Sequence, residues 1–274
     1  LALITALVLR GPAQIAVGKG IVQGLGEPLP ISSSAHLIVT PWFFNWNDPF
    51  FQSQTFDLAL HMGTLIALLG FFWRDLLGLL RYAHRPSSPQ GRMFWLIGIG
   101  SLPGALAGLL LDKYAENFFQ ERYLVIALAL AVMGVILYLV DRIVPPQLEV
   151  EQITWRIALL IGISQAAALV PGVSRSGATM TMGRAMRLTR ESAARFSFLM
   201  AVPITAGAGL YKLRHLDVSQ LTAPFWLGIG VSTLVGALAI GFLLQYVRTK
   251  SFLPFVIYRI VLAALIVAVY FARG

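Results

Sequence analysis

The sequence predicts an all-α polytopic membrane protein with six transmembrane helices and two re-entrant helix–loop–helix hairpins in an inverted-topology repeat. Three observations predict it. Of 274 residues, 57% are hydrophobic and 12% charged, about half the charge of a soluble domain. Such a chain cannot clothe a water-facing surface, so its surface must face lipid. Six stretches approach the ~20 apolar residues that a helix needs to cross a bilayer. Two further apolar stretches are broken by proline and serine, and they resemble each other.

The six spans run approximately Phe56 to Leu80, Phe94 to Leu111, Leu124 to Val140, Phe196 to Leu213, Phe225 to Val247 and Phe252 to Phe271. Interface residues such as Trp73, Trp95, Tyr123, Trp226 and Tyr270 sit near their ends, where amphipathic rings prefer to lie. Charges such as Arg74, Asp75, Asp141, Arg142, Arg248 and Lys250 punctuate them.

The first broken stretch, approximately Ala13 to Phe44, is interrupted by Pro28-Leu29-Pro30 and Ser32-Ser33-Ser34. The second, approximately Ile153 to Met186, is interrupted by Pro171-Gly172 and Ser174-Arg175-Ser176-Gly177. Proline removes a backbone donor and clashes with the preceding turn, so neither can be one continuous helix. The arms are too short to span, and broken backbone at membrane depth survives only inside protein or along a wet cavity. Each break is therefore expected to enter and leave on one face.

Placed 142 positions apart, as Ser32 and Ser174 are, the two stretches align without a gap. Gly20, Ile21 and Gln23 fall on Gly162, Ile163 and Gln165, and Ser34 falls on Ser176. Each is followed by three spans. The expected organisation is one membrane domain in two repeats, 1–143 and 144–274. An odd number of spans inverts the second copy, and the two hairpins then meet near the midplane.

Loop charge sets the orientation. Arg81, His84, Arg85 and Arg92, then Arg184, Arg187, Arg190 and Arg195, then Arg248 and Lys250 fall on one side, which is expected to be cytoplasmic. Asp112, Lys113, Glu116 and Glu121 fall outside with no basic excess, and Lys212 with Arg214 is a weak exception. The net charge of +9 suits cytoplasmic loops and anionic lipid. No basic stretch interleaved with aromatics points to nucleic acid. There are no cysteines, which excludes disulfides and thiolate metal sites. Leu1 to Leu9 are apolar and end at Arg10, the reverse of a signal peptide, so no cleaved segment is expected.

Polar groups inside membrane segments are costly and mark cavities. The first break offers Gln23, Glu27, Ser32, Ser33, Ser34 and His36; Gln23 and Glu27 share a helix face. The second offers Ser174, Arg175, Ser176 and Thr179, and Arg259 lies within the last span. A glycine-rich turn before a helix N-terminus presents backbone donors to an anion, and arginine matches phosphate oxygens. A carboxylate, hydroxyls and an imidazole can activate a nucleophile and protonate a leaving group. The set therefore points to phosphate chemistry. The serines and Thr181 also have a bland role, bonding the preceding turn. Asp57 and His61 are expected as interface or helix-capping groups, and Met180 and Met182 as packing.

At these residues the chain resembles the undecaprenyl-pyrophosphate phosphatases of the bacitracin-resistance type. Their first motif reads here as Gln23-Gly-Leu-Gly-Glu27 followed by Pro30-Ile-Ser-Ser-Ser-Ala-His36. The second reads Pro171-Gly-Val-Ser-Arg-Ser-Gly-Ala-Thr179, and a downstream one Pro254-Phe-Val-Ile-Tyr-Arg259. The resemblance covers essentially the whole chain. It implies a hydrolase of the bacterial cytoplasmic (inner) membrane with its site facing the periplasm. The enzyme would cut undecaprenyl pyrophosphate to the monophosphate and phosphate, recycling the C55 carrier of cell-wall (peptidoglycan) synthesis and conferring antibiotic resistance. It implies dependence on Mg or Ca, with Glu27 and Gln23 as the metal candidates and no organic cofactor. Gln at position 23, where many members have Glu, weakens a two-carboxylate metal site. A homodimer is admitted as an assembly.

The expected catalytic residues are Glu27, Ser33, His36 and Arg175. Gln23, Ser174, Ser176, Thr179 and Arg259 are expected to bind substrate phosphate. Ser33, His36 or a water activated by Glu27 stand as alternative nucleophiles. A transporter or flippase of polyprenyl phosphate is the rival reading. It would use both arginines but has no need of Glu27, Ser33 and His36 together.

Overall fold

The computed structural model describes residues 11–119, 122–216 and 218–273. Leu1 to Arg10 and Glu121 lie outside the described residues, as do the side chains of Asp112, Lys113 and Glu116. The described residues form eleven α-helices joined by short 3₁₀ turns. In chain order these are α1 (Pro12–Gly26), α2 (Ser33–Phe44), α3 (Gln54–Phe71), α4 (Trp73–Tyr82), α5 (Pro89–Phe119) and α6 (Tyr123–Ile143). They continue with α7 (Trp155–Ala166), α8 (Arg175–Ala185), α9 (Arg190–Lys212), α10 (Ala223–Val247) and α11 (Leu253–Arg273).

Six of them, α3, α5, α6, α9, α10 and α11, are long and apolar enough to cross a bilayer. They coincide with the six expected spans, with one correction. The stretch Phe56 to Leu80 is two helices, because α3 stops at Phe71 and α4 starts at Trp73. Phe72 leaves the helical region between them. The cause is polarity: Arg74 and Asp75 open a helix that buries only Leu79 and exposes Trp73, Leu77 and Leu80. Such an amphipathic segment suits an interface better than a bilayer core.

Local chemistry sets the ends. Ser53 caps α3 by accepting from Phe56 N at 3.2 Å, and Thr189 caps α9 by accepting from Ser192 N at 3.2 Å. Asn45 closes α2 in the left-handed region at φ 52°, which Asn tolerates better than most residues. Pro103 and Pro203 lie inside α5 and α9.

The core gathers around α9, whose Phe196, Leu199 and Met200 are buried with Leu68 and Phe72 below α3 and with Ile161 of α7. Gly162 lets α7 sit directly on α5, since a Cβ there would strike the Gly100 carbonyl. At one end of the bundle a buried ion cluster ties four helices. Asp141 of α6 accepts from Arg184 of α8 at 3.0 Å and from Arg190 of α9 at 2.7 Å. Its other oxygen accepts from the Phe252 amide leading into α11 at 3.3 Å. Arg184, 1% exposed, also donates to the carbonyls of Leu188 and Val144. A charge so buried is tolerated only because every donor finds an acceptor.

Candidate active site

The two breaks have the same local build. Ser32 and Ser174 both have φ 74°, unusual for a residue with a side chain. Each caps the helix that follows, Ser32 accepting from Ala35 N and Ser174 from Gly177 N. Each faces the serine two positions on, Ser34 at 3.2 Å and Ser176 at 3.1 Å. Ser33 and Arg175 are therefore the first residues of α2 and α8, at helix ends whose free N–H groups favour anions.

The breaks also hold each other. The Gly172 amide donates to Ser32 Oγ at 3.0 Å, and Ser176 Oγ donates to the Leu29 carbonyl at 3.0 Å. Gly172, at φ 103°, lies so close to α6 that a Cβ would strike Ala129 and the Leu130 amide. Only glycine meets both demands there.

Glu27 is the junction. Its Oε1 accepts from Arg175 at 2.5 Å, and its Oε2 accepts from Ser33 Oγ at 2.5 Å and from Gln23 Nε2 at 3.3 Å. Arg175 is held in turn by Thr205 Oγ1 at 2.9 Å. A hydroxyl on a carboxylate, the carboxylate on a guanidinium, and the guanidinium on a second helix form a series of the kind that can activate a hydroxyl as a nucleophile. All three reach a cavity of about 810 Å³, towards the upper end of the ~300–1,000 Å³ of small-molecule sites. Ser34 and Ser174 line it as well.

The other expected residues lie elsewhere. Arg259 is fully buried, and its donors go to four carbonyls: Leu130 at 3.1 Å, Pro30 at 3.0 Å, Gly172 at 2.5 Å and Val173 at 3.2 Å. It clamps both breaks from behind and, fully buried, is not among the residues that line the cavity. Thr179 turns back to the Arg175 and Ser176 carbonyls and to Ser197 Oγ at 2.6 Å. Ser176 is occupied with Leu29. Thr181 bonds the Gly177 carbonyl four residues back at 2.6 Å, the bland role expected of it. Gln23 is buried behind Glu27, its Oε1 without a partner.

His36 is not beside Glu27. Its Nδ1 donates to the Ser32 carbonyl at 2.7 Å and its Nε2 accepts from Tyr258 at 2.6 Å, with the rings stacked. The imidazole at Glu27 is His61, whose Nε2 lies 3.9 Å from Oε2. Sequence reasoning set His61 down as a cap or interface group. Its Nδ1 does bond the Asp57 carbonyl at 2.8 Å, yet the ring faces the cavity. Asp57 pairs with buried Lys19 at 3.2 Å, and that lysine also donates to the Phe51 carbonyl. Thr205, Ser101 and Gln165 were also missed. Gln165 carried a signal, since it occupies the place of Gln23 in the alignment of the two breaks.

The sequence matches known proteins over most of its length. Residues 16–265 match the family model described as Bacitracin resistance protein BacA. The chain is 51% identical over 259 residues to an "Undecaprenyl-diphosphatase" of Moorella thermoacetica, covering 94% of this chain and 98% of that protein. A protein of the same name from Caldicellulosiruptor bescii is 48% identical over 262 residues, covering 94% and 98%. One from Pelotomaculum thermopropionicum is 47% identical over 259 residues, covering 94% and 97%.

Proposed function

The chain belongs to the bacitracin-resistance BacA family and is a multi-pass membrane undecaprenyl-diphosphatase, and on that premise we propose that Ser33, Glu27 and Arg175 perform the cut. The observation that carries the proposal is the unbroken series from Ser33 Oγ through Glu27 to Arg175, at 2.5 Å for each link, beside two helix N-termini.

Without an anion, Arg175 rests on Glu27. A pyrophosphate entering the cavity competes for the guanidinium, a bidentate partner for phosphoryl oxygens. Glu27, relieved of its cation, becomes a stronger base for the Ser33 proton. The serine oxygen attacks the terminal phosphorus, and the bond to the lipid-side phosphate breaks. Arg175 and the free amides of α2 and α8 stabilise the charge on the transferring group. Water then attacks the phosphoserine, Glu27 returns the proton to Ser33 Oγ as the P–O bond breaks, and both protons of the water leave with the inorganic phosphate. Gln23 supports the carboxylate from behind, and Ser174 sets the N-terminus of α8. His36 and Arg259 act on this machinery through the backbone that they hold. A carrier would leave the Ser33–Glu27 pair without a task.

The Mg or Ca ion implied by the resemblance meets a poor donor set. Among the described residues no three His, Asp or Glu cluster together, and Arg175 occupies one oxygen of Glu27. The residues do not fit a protein-held ion, and none of the steps above passes through one. Mg commonly arrives on substrate phosphates.

The two breaks are re-entrant hairpins in an inverted repeat. Support comes from length: α1 has 15 residues and α7 has 12, about 22 Å and 18 Å at ~1.5 Å per residue, short of the ~30 Å bilayer core. Support comes also from packing. α1 lies on α10 and α7 on α5, while α6 pairs with α11, an exchange between corresponding helices of 1–143 and 144–274. The cavity lies towards Gln54 of α3 and Lys212 of α9, the ends away from the basic loop of Arg81 to Arg92. The site therefore opens on the periplasmic face.

Rapid quenching of the purified enzyme with undecaprenyl pyrophosphate, followed by peptide mass spectrometry, tests the route. Phosphoserine at Ser33 is expected. A phosphate on His36, or full turnover by Ser33→Ala, would refute it.

A further inference from the structure

The cavity does not end at the reacting groups. It continues between the C-terminal halves of α5 and α9, lined by Ala105, Gly108 and Leu109 on one side and Ile204, Gly207 and Ala208 on the other. These two helices are in close contact lower down, where a Cβ on Gly100 would strike Met200 Sδ. Beyond Pro103 and Pro203 they part, and a Cβ on Gly108 or Gly207 would meet no atom within 4 Å. The lips of this gap are apolar and bare: Leu109 is 63% exposed, Leu110 70% and Leu210 69%. In a membrane segment such a gap opens onto acyl chains, not water.

A second observation is the change of character along the cavity. Glu27, Ser33, Ser174 and Arg175 make its inner end polar, while Gly108 and Leu109 with Gly207 and Ala208 make this outer part apolar. A ligand with a charged head and an apolar tail matches both parts.

We infer that the polyisoprenyl tail of the substrate leaves the site sideways between α5 and α9, past Gly108 and Gly207. The inference rests on the placement of the reaction at Ser33 and Glu27. It makes two glycines the determinants of which tails are accepted. A Cβ at either position meets no atom within 4 Å, so a leucine there would project into the gap.

The test compares undecaprenyl pyrophosphate with dimethylallyl pyrophosphate, whose tail extends only about 5 Å, one helical turn, on purified enzyme in detergent. Gly108→Leu and Gly207→Leu are expected to lose at least about tenfold in kcat/KM on the long substrate. They should stay within about twofold on the short one, which also shows that they fold. Gly70→Leu and Gly230→Leu are the controls, since a Cβ at those glycines also meets open space but neither lines the cavity. They should leave both substrates unchanged. Equal losses on the two substrates, no loss on either, or the same selectivity from the controls would overturn the inference. Glu27→Gln run alongside separates the two readings. If it stays active on both substrates while the glycine variants still discriminate, the placement of the reaction falls and the tail port stands.

Discussion

The two breaks share a backbone and divide the chemistry. Ser32 and Ser174 adopt the same φ of 74° and make the same cap, so the next residue in each opens a helix at the cavity. In one break that residue is Ser33, with Glu27 behind it. In the other it is Arg175. The two breaks thus offer two similar, electropositive helix ends, and in the proposed mechanism one carries the nucleophile and the other a cation. A second contrast lies between two arginines of one site. Arg175 faces the cavity and holds a carboxylate that substrate can displace. Arg259 is buried and holds four carbonyls that nothing displaces.

The sharpest division of labour is between Ser33 and its counterpart. Ser33→Ala should reduce kcat by ~10⁴-fold or more, the scale on which loss of a covalent nucleophile is felt, with the melting temperature unchanged. Arg175→Lys keeps the charge but loses the fork, and should cost about 10²–10³-fold in phosphate release. Arg259→Met probes the other arginine and should reverse the pattern. It leaves the carbonyls of both breaks unpaired, for a stability loss on the order of 3–5 kcal/mol read by thermal unfolding in detergent. If Arg259→Met were fully stable yet inactive, the clamp would give way to direct phosphate binding. The smallest effect tests the shared backbone. Ser174→Ala removes one helix cap, about 1 kcal/mol, and Ser32→Ala should cost more, because it also leaves the buried Gly172 amide without its acceptor. Equal losses would mean that the bond from Gly172 to Ser32 does not tie the two breaks.

Much of this was legible in the sequence because apolar length and proline breaks are local signals. Five of the six spans stand where hydropathy put them. The remaining one ends at Phe71, short of the expected Leu80, although Gly70 and the Arg74–Asp75 pair stand at the joint. The apolar residues beyond it belong to a short amphipathic helix, which a count of apolar residues does not separate from the span. Ser33 and Arg175 were legible because their motifs put each at a helix start, and Glu27 because it closes the preceding helix one turn after Gln23. Arg259 was legible as a buried cation but not as a clamp, because a guanidinium matches four carbonyls as well as a phosphate. The two imidazoles could not be assigned at all from spacing. His36 is three residues from Ser33, yet α2 carries its ring towards Tyr258 of α11. His61 is far away in sequence and comes to Glu27 only because α3 packs beside α1. Such pairings belong to tertiary packing, which local pattern does not encode.

The central claim is that one site is assembled from both breaks through the contact of Glu27 with Arg175. A double-mutant cycle of Glu27→Gln and Arg175→Met, read as kcat/KM for phosphate release from undecaprenyl pyrophosphate, tests it most directly. Residues acting as one unit are strongly non-additive, so the double variant should be no more than about tenfold below the worse single variant. A double variant showing the full product of the two single losses would mean that the breaks act independently, and would contradict the account.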